Sequence, residues 1–170
     1  MLAALQELRA RLGVLENQCP EKEKIAFSQI PEGLPRGILV EITGKGKRES
    51  IAALLAENPD LYCAWIESKL SILPSALEQR KINLEKLFFV EGGNETSWAA
   101  ATVLRSQIFP IVVYNAPHGD LRELRRFQLL ASKAQSTMLL LAEDPTPNAW
   151  PIRLSLCVQA EGRKVSIARR

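Results

Sequence analysis

The chain reads Gly37-Ile-Leu-Val-Glu-Ile-Thr-Gly44-Lys-Gly-Lys-Arg-Glu-Ser-Ile-Ala52, which is an apolar run, a turn with two glycines and the start of a helical pattern. Loops that bind nucleotide phosphates have this layout, and they need Gly-Lys-[Ser/Thr] where the helix opens. Counted from Gly44, those positions hold Glu49, Ser50 and Ile51. A loop one residue shorter places Ser50 at the metal position but Glu49 at the lysine position. Glutamate repels a triphosphate, so both registers predict no ATP hydrolysis.

This stretch therefore predicts a degenerate phosphate loop with no bound cofactor. Its residues are Gly44, Lys45, Gly46, Lys47, Arg48, Glu49 and Ser50.

Composition predicts one ordinary soluble domain. The chain has 170 residues, a net charge of +3 and 46% hydrophobic residues. It lacks the run of roughly 18 to 20 apolar residues that a membrane helix needs, and charge interrupts its first apolar stretch, unlike a signal peptide. We therefore expect a cytoplasmic protein. The three cysteines, Cys19, Cys63 and Cys157, have no CxxC spacing, which predicts reduced thiols and no metal site.

Residues 1–36 differ in pattern from the rest of the chain. Leucines recur at three- and four-residue steps and predict an amphipathic helix that ends near Glu16; they are Leu2, Leu5, Leu8, Leu12 and Leu15. Residues 18–36 contain three prolines and predict an extended linker with turns. We therefore divide the chain into an N-terminal helix and linker, 1–36, and a core domain, 37–170.

The core domain alternates apolar strand patterns with helices. Strands are predicted at 38–43, 61–66, 87–90, 109–114 and 137–142, and helices at 49–57, 73–80, 95–107 and 120–134. The segments 152–159 and 163–168 alternate polar and apolar residues, which is typical of an antiparallel hairpin. The pattern predicts an α/β domain with a mainly parallel sheet, whose ligand crevice lies at the carboxyl ends of the strands.

Glu32-Gly-Leu-Pro-Arg-Gly37, followed by the first strand, resembles the RecA-type recombinases and especially their relative ImuA. Further matches are Cys63–Glu67, Leu84–Val90, Leu124–Ala131 and Met138–Leu141. The resemblance implies a RecA-like fold. The sequence also departs from the RecA pattern at two positions. Lys69 stands where RecA has its catalytic glutamate, and Tyr114 or Asn115 stands where the Walker B aspartate belongs. Asp144–Pro151 is also short and proline-rich for a mobile DNA-binding loop. From these departures we predict that the chain is not an enzyme.

The resemblance to ImuA implies an accessory protein of the DNA-damage (SOS) response that scaffolds an error-prone translesion-synthesis complex. Its implied partners are a Y-family-like polymerase and RecA. SulA, a division inhibitor that binds the tubulin-like division GTPase, resembles a similar RecA core and is the alternative.

Two sets of residues are candidate interaction sites. For protein partners, or a second copy through the N-terminal helix, they are Leu5, Leu8, Leu12 and Trp150. For DNA or another anion, they are Lys45, Lys47, Arg48, Arg122, Arg125 and Arg126. Solvated helix faces also carry such charges, and any DNA contact is expected to ignore base sequence. His118 is interpreted as a loop histidine, because no nucleophile has a recognisable spacing to it.

Overall fold

A computed structural model describes residues 23–159 and the backbone of 165–169. In chain order the strands and helices are β1 (Lys24–Ile25), β2 (Leu34–Pro35), β3 (Leu39–Thr43), α1 (Lys47–Glu57), β4 (Cys63–Glu67), α2 (Pro74–Glu78), β5 (Leu87–Glu91), α3 (Thr96–Ser106), β6 (Ile111–Asn115), α4 (Leu121–Ala134), β7 (Thr137–Leu141), β8 (Ile152–Val158) and β9 (Val165–Arg169). Short 3-10 turns precede β5 and α3.

Seven of the strands form one sheet in the order β5-β4-β6-β7-β3-β8-β9. Six of them run parallel, and β9 pairs antiparallel with β8. Strand β3 lies between β7 and β8 and is the fifth of the six parallel strands. The predicted α/β fold with a mainly parallel sheet and a C-terminal antiparallel pair is confirmed.

Both faces of the sheet are covered, which is why its strands are apolar almost throughout. Because side chains alternate along a strand, Val40 and Ile42 face the side of α1, whereas Leu39 faces the side of α3 and α4. Trp65 is fully buried in the first of these two cores, as its strand position predicts. Phe127 on α4 is fully buried in the second, where its ring meets that of Tyr114 edge-on.

Residues 23–36 are more than a linker. Strands β1 and β2 pair antiparallel, and Ile25, Phe27, Ile30 and Leu34 are buried in the core on the α1 side. The proline and glycine turns are present, but the apolar residues between them pack against the sheet. The prediction of an extended linker is therefore wrong over this stretch, while the domain boundary at residue 36 stays a prediction.

The predicted N-terminal helix, with Leu5, Leu8 and Leu12, lies outside the described residues. Within the described part of the chain, no helix has the length and apolar character needed to cross a bilayer.

Candidate functional site

The turn after β3 is shorter than the sequence motif suggests. Helix α1 begins at Lys47 with Gly46 as its N-cap, so only residues 44–46 separate strand from helix. The pair Gly46-Lys47 therefore opens the helix. Both registers considered from the sequence are wrong, because they place the motif's Gly-Lys pair two or three residues further along. Arg48 follows where the motif has Ser or Thr, and Lys45 alone separates two glycines that the motif spaces by four residues.

Both glycines of this turn are explained by their contact with β8. Gly44 has a φ of +91°, and a Cβ built on it would lie 2.2 Å from the carbonyl oxygen of Val158. A Cβ on Gly46 would lie 2.7 Å from Cγ1 of the same valine. Close approach of the turn to the end of β8 therefore requires glycine at position 44, whereas a Cβ at position 46 would force the Val158 side chain to shift.

The polar side chains around the turn contact other parts of this chain. The Lys47 ammonium donates to the Ala142 carbonyl at 3.1 Å and pairs with Glu143, and this bond lowers the pKa of the Glu143 carboxyl. Glu49 pairs with Arg80, and the Ser50 hydroxyl donates to Gln29. Lys45 is exposed. Of the cations predicted to bind an anion here, Lys47 is thus already engaged.

Arg48 joins a buried carboxylate at the end of β4. The Glu67 side chain is 1% exposed and lies 3.5 Å from the Arg48 guanidinium. Its Oε1 accepts from Asn115 Nδ2 at 2.6 Å and from Trp65 Nε1 at 3.1 Å, and its Oε2 accepts from the backbone N–H and the hydroxyl of Ser71. Burial by itself raises the pKa of Glu67, but the bonds from Asn115, Ser71 and Trp65 outweigh it and lower the pKa.

A second network of hydrogen bonds links His118, the predicted loop histidine, to the buried Glu41 on β3. His118 Nε2 lies 2.8 Å from Thr146 Oγ1, and that hydroxyl and the Thr146 N–H both donate to the buried Glu41 on β3. The other oxygen of Glu41 accepts from Ser155 at 3.1 Å. His118 thus joins the loop after β6 to the loop after β7. In the described residues, no group of three or more His, Cys, Asp or Glu side chains could hold a metal ion.

The predicted arginines of α4 lie together beside α3. Arg122, Arg125 and Arg126 line a groove with Arg105 of α3, and Leu129 and Leu130 complete its lining. We call this surface the arginine groove. Trp150, predicted to contact a partner if exposed, is 55% exposed. The Arg125 guanidinium lies over its ring, 5.8 Å from the centroid.

Sequence reasoning missed two features of these sites. Arg105 joins the groove only because α3 packs beside α4, and no spacing in the sequence links it to Arg122. Glu67 ends one of the stretches in which the resemblance lies, but its donors Asn115 and Ser71 lie outside that stretch. One signal was available in the sequence. The carboxyl ends of parallel strands meet at one edge of the sheet, so residues at or just after those ends are expected to lie close together.

Comparison with solved structures identifies the fold. The chain is similar to a structure described as the RadB recombinase, with a TM-score of 0.63 and 14% identity, over 82% of this chain and 84% of that one. No family model matches the chain, and no curated protein matches it. The fold is therefore RecA-like, as predicted.

The same match contradicts the prediction that the chain is not an enzyme. The structure compared above, which shares this fold over 84% of its length, is described as a recombinase. The sequence argument also relied on a register of the turn that the structure corrects. Departures from a motif therefore do not establish that activity is absent in this chain.

Proposed function

We propose that this protein acts in DNA recombination or repair. The observation that carries the proposal is the RecA-like sheet, shared with a recombinase over 82% of the chain. Fold alone leaves many functions open. The arginine groove adds a positively charged surface, which suits binding to the phosphates of a nucleic acid.

Within that class, the finer proposal is an SOS-response accessory that assembles an error-prone translesion-synthesis complex. It is supported by the resemblance of the stretch from Glu32 to Gly44 to ImuA. In the structure this stretch forms β2, the turn after it and β3. Its proposed partners are a Y-family-like polymerase and RecA, contacted through Leu5, Leu8 and Leu12 and through the exposed Trp150.

A pull-down from cells after DNA damage tests this proposal. The tagged full chain is compared with two full-length variants, one with Leu5, Leu8 and Leu12 changed to serine and one with Trp150→Ala. Recovery of a translesion polymerase or RecA with the parent, and its loss with the leucine variant, supports the proposal. Recovery of the division GTPase instead overturns it in favour of the SulA-like alternative, and recovery of neither class also overturns it.

Catalysis is tested separately on the same preparation. ATP hydrolysis by the purified chain is measured with and without single-stranded DNA, and Lys47→Ala is the variant to compare. This lysine opens α1, so an activity that uses the turn should be lost in that variant, whereas a contaminating ATPase would be unaffected.

A further inference from the structure

The arginine groove concentrates positive charge on one side of the molecule. Its volume is about 350 Å³. The sequence of α4 explains the arrangement, because Leu124, Phe127 and Ala131 are buried toward the sheet and leave the arginines on the outer face. Arg122, Arg126, Leu129 and Lys133 follow at helical steps of four, three and four residues and so lie along one stripe.

Within the described residues, no ion pair neutralises these arginines. The four salt bridges seen in that part of the chain use Arg36, Lys47, Arg48 and Arg80. The acids nearest in sequence, Asp120 and Glu123, accept from backbone N–H groups at the start of α4. Four guanidinium groups around one groove repel each other, and an anion placed between them would relieve that repulsion.

The character of the groove favours a nucleic-acid strand over a free small anion. Guanidinium groups bind phosphate oxygens through two parallel hydrogen bonds. Leu129 is 63% exposed and provides an apolar surface between the cations. Trp150 is 55% exposed beside Arg125, and an exposed ring next to a basic groove is the combination that binds single strands.

We propose that the arginine groove binds the backbone of single-stranded DNA, with a base stacked on Trp150. The stripe from Arg122 to Lys133 is about 16 Å long at 1.5 Å per residue, which is the axial length of about five stacked nucleotides. The contacts reach phosphates and a ring face, so binding is independent of base sequence and weakens with salt. This inference rests on the proposed function only for the choice of DNA as the natural ligand.

Binding is measured by fluorescence anisotropy with a labelled oligothymidylate of about 20 nucleotides, between 50 and 200 mM salt. The test variants are Arg122→Gln with Arg126→Gln, and Trp150→Ala. The control is Lys24→Gln with Lys69→Gln, which removes the same charge from exposed sites on β1 and just after β4.

We expect the double arginine variant to weaken binding at least tenfold. It should also reduce the slope of log K against log salt by about 1.4, or about 0.7 for each phosphate that is no longer neutralised. Trp150→Ala should weaken binding about tenfold with the slope unchanged, because stacking releases no counterions. The lysine control should bind within about twofold of the parent.

Several results would overturn the proposal. They are equal binding by the parent and the arginine variant, an equal loss in the lysine control, no binding by the parent at low salt, or stronger binding to an acidic polyglutamate peptide than to DNA.

The pull-down separates the two proposals. A polymerase recovered with a chain that does not bind DNA removes the groove inference alone, whereas DNA binding without a repair partner removes the finer functional proposal alone.

Discussion

Two charged regions of this molecule differ in how their charges are matched. Around the turn after β3, Lys47, Arg48, Glu49 and Glu67 all contact partners within the chain. In the arginine groove, no acid pairs with the cations among the described residues. Matched charges hold elements of the fold together, whereas unmatched charges cost stability unless a ligand uses them. The sequence makes both regions look alike, as clusters of lysine and arginine.

The largest effect is expected at the turn. Gly44→Ala should lower the free energy of unfolding by about 3 kcal/mol, because the new Cβ combines a positive φ with a clash against the Val158 carbonyl. Urea unfolding followed by circular dichroism measures it. Gly93→Ala is the matched control, with a φ of +53° and open space around its Cβ, and should cost about 1 kcal/mol. Equal costs would show that the turn does not pack against β8.

The Glu67 cluster should give the next largest effect. Glu67→Gln removes a buried carboxylate from four hydrogen bonds and turns an amide toward their donors, which should cost about 2 kcal/mol of unfolding free energy. Glu91→Gln is the control. Glu91 on β5 lies opposite Glu67 on β4 in the strand register, but it is exposed and accepts from the Leu70 N–H. It should cost about 0.5 kcal/mol. A small effect of Glu67→Gln would mean that the negative charge of Glu67 does not stabilise the fold.

The same carboxylate predicts a pH dependence. Since folding lowers the pKa of Glu67, its contribution is complete above the unfolded pKa of 4.5 and is lost as pH falls through the lower folded value. The difference in unfolding free energy between the parent and Glu67→Gln should therefore be largest near pH 7 and shrink below pH 4.5. A difference that is constant from pH 7 to pH 3 would contradict this assignment.

The smallest effect is expected in the arginine groove. Arg122→Gln with Arg126→Gln should change the free energy of unfolding by no more than about 0.5 kcal/mol, because neither guanidinium has an ion pair in the described structure. Thermal and urea unfolding at low salt measure it. A loss above about 1 kcal/mol would show that these arginines stabilise the fold, and their presence would then need no ligand to explain it.

Much of the fold could be predicted because the strands and helices are strongly patterned. The strand predicted at 87–90 is Leu87–Glu91, and the helix predicted at 120–134 is Leu121–Ala134, with Asp120 as its N-cap. Residues 23–36 were misassigned, because prolines and turns indicate irregular backbone but do not reveal that Phe27 and Ile30 pack on the sheet. The start of α1 was also misplaced by two residues, since Lys47 and Arg48 have no capping signal before them.

The sequence by itself determined the alternation of strands and helices, the apolar core strands and the charge of α4, because these depend on local periodicity and composition. Only the tertiary structure decided which charges are matched. Glu67 meets Asn115 and Arg48 from separate elements, and Arg105 meets Arg122 only where two helices pack side by side. Such pairings depend on distances in space between residues far apart in the chain, and periodicity does not encode those distances.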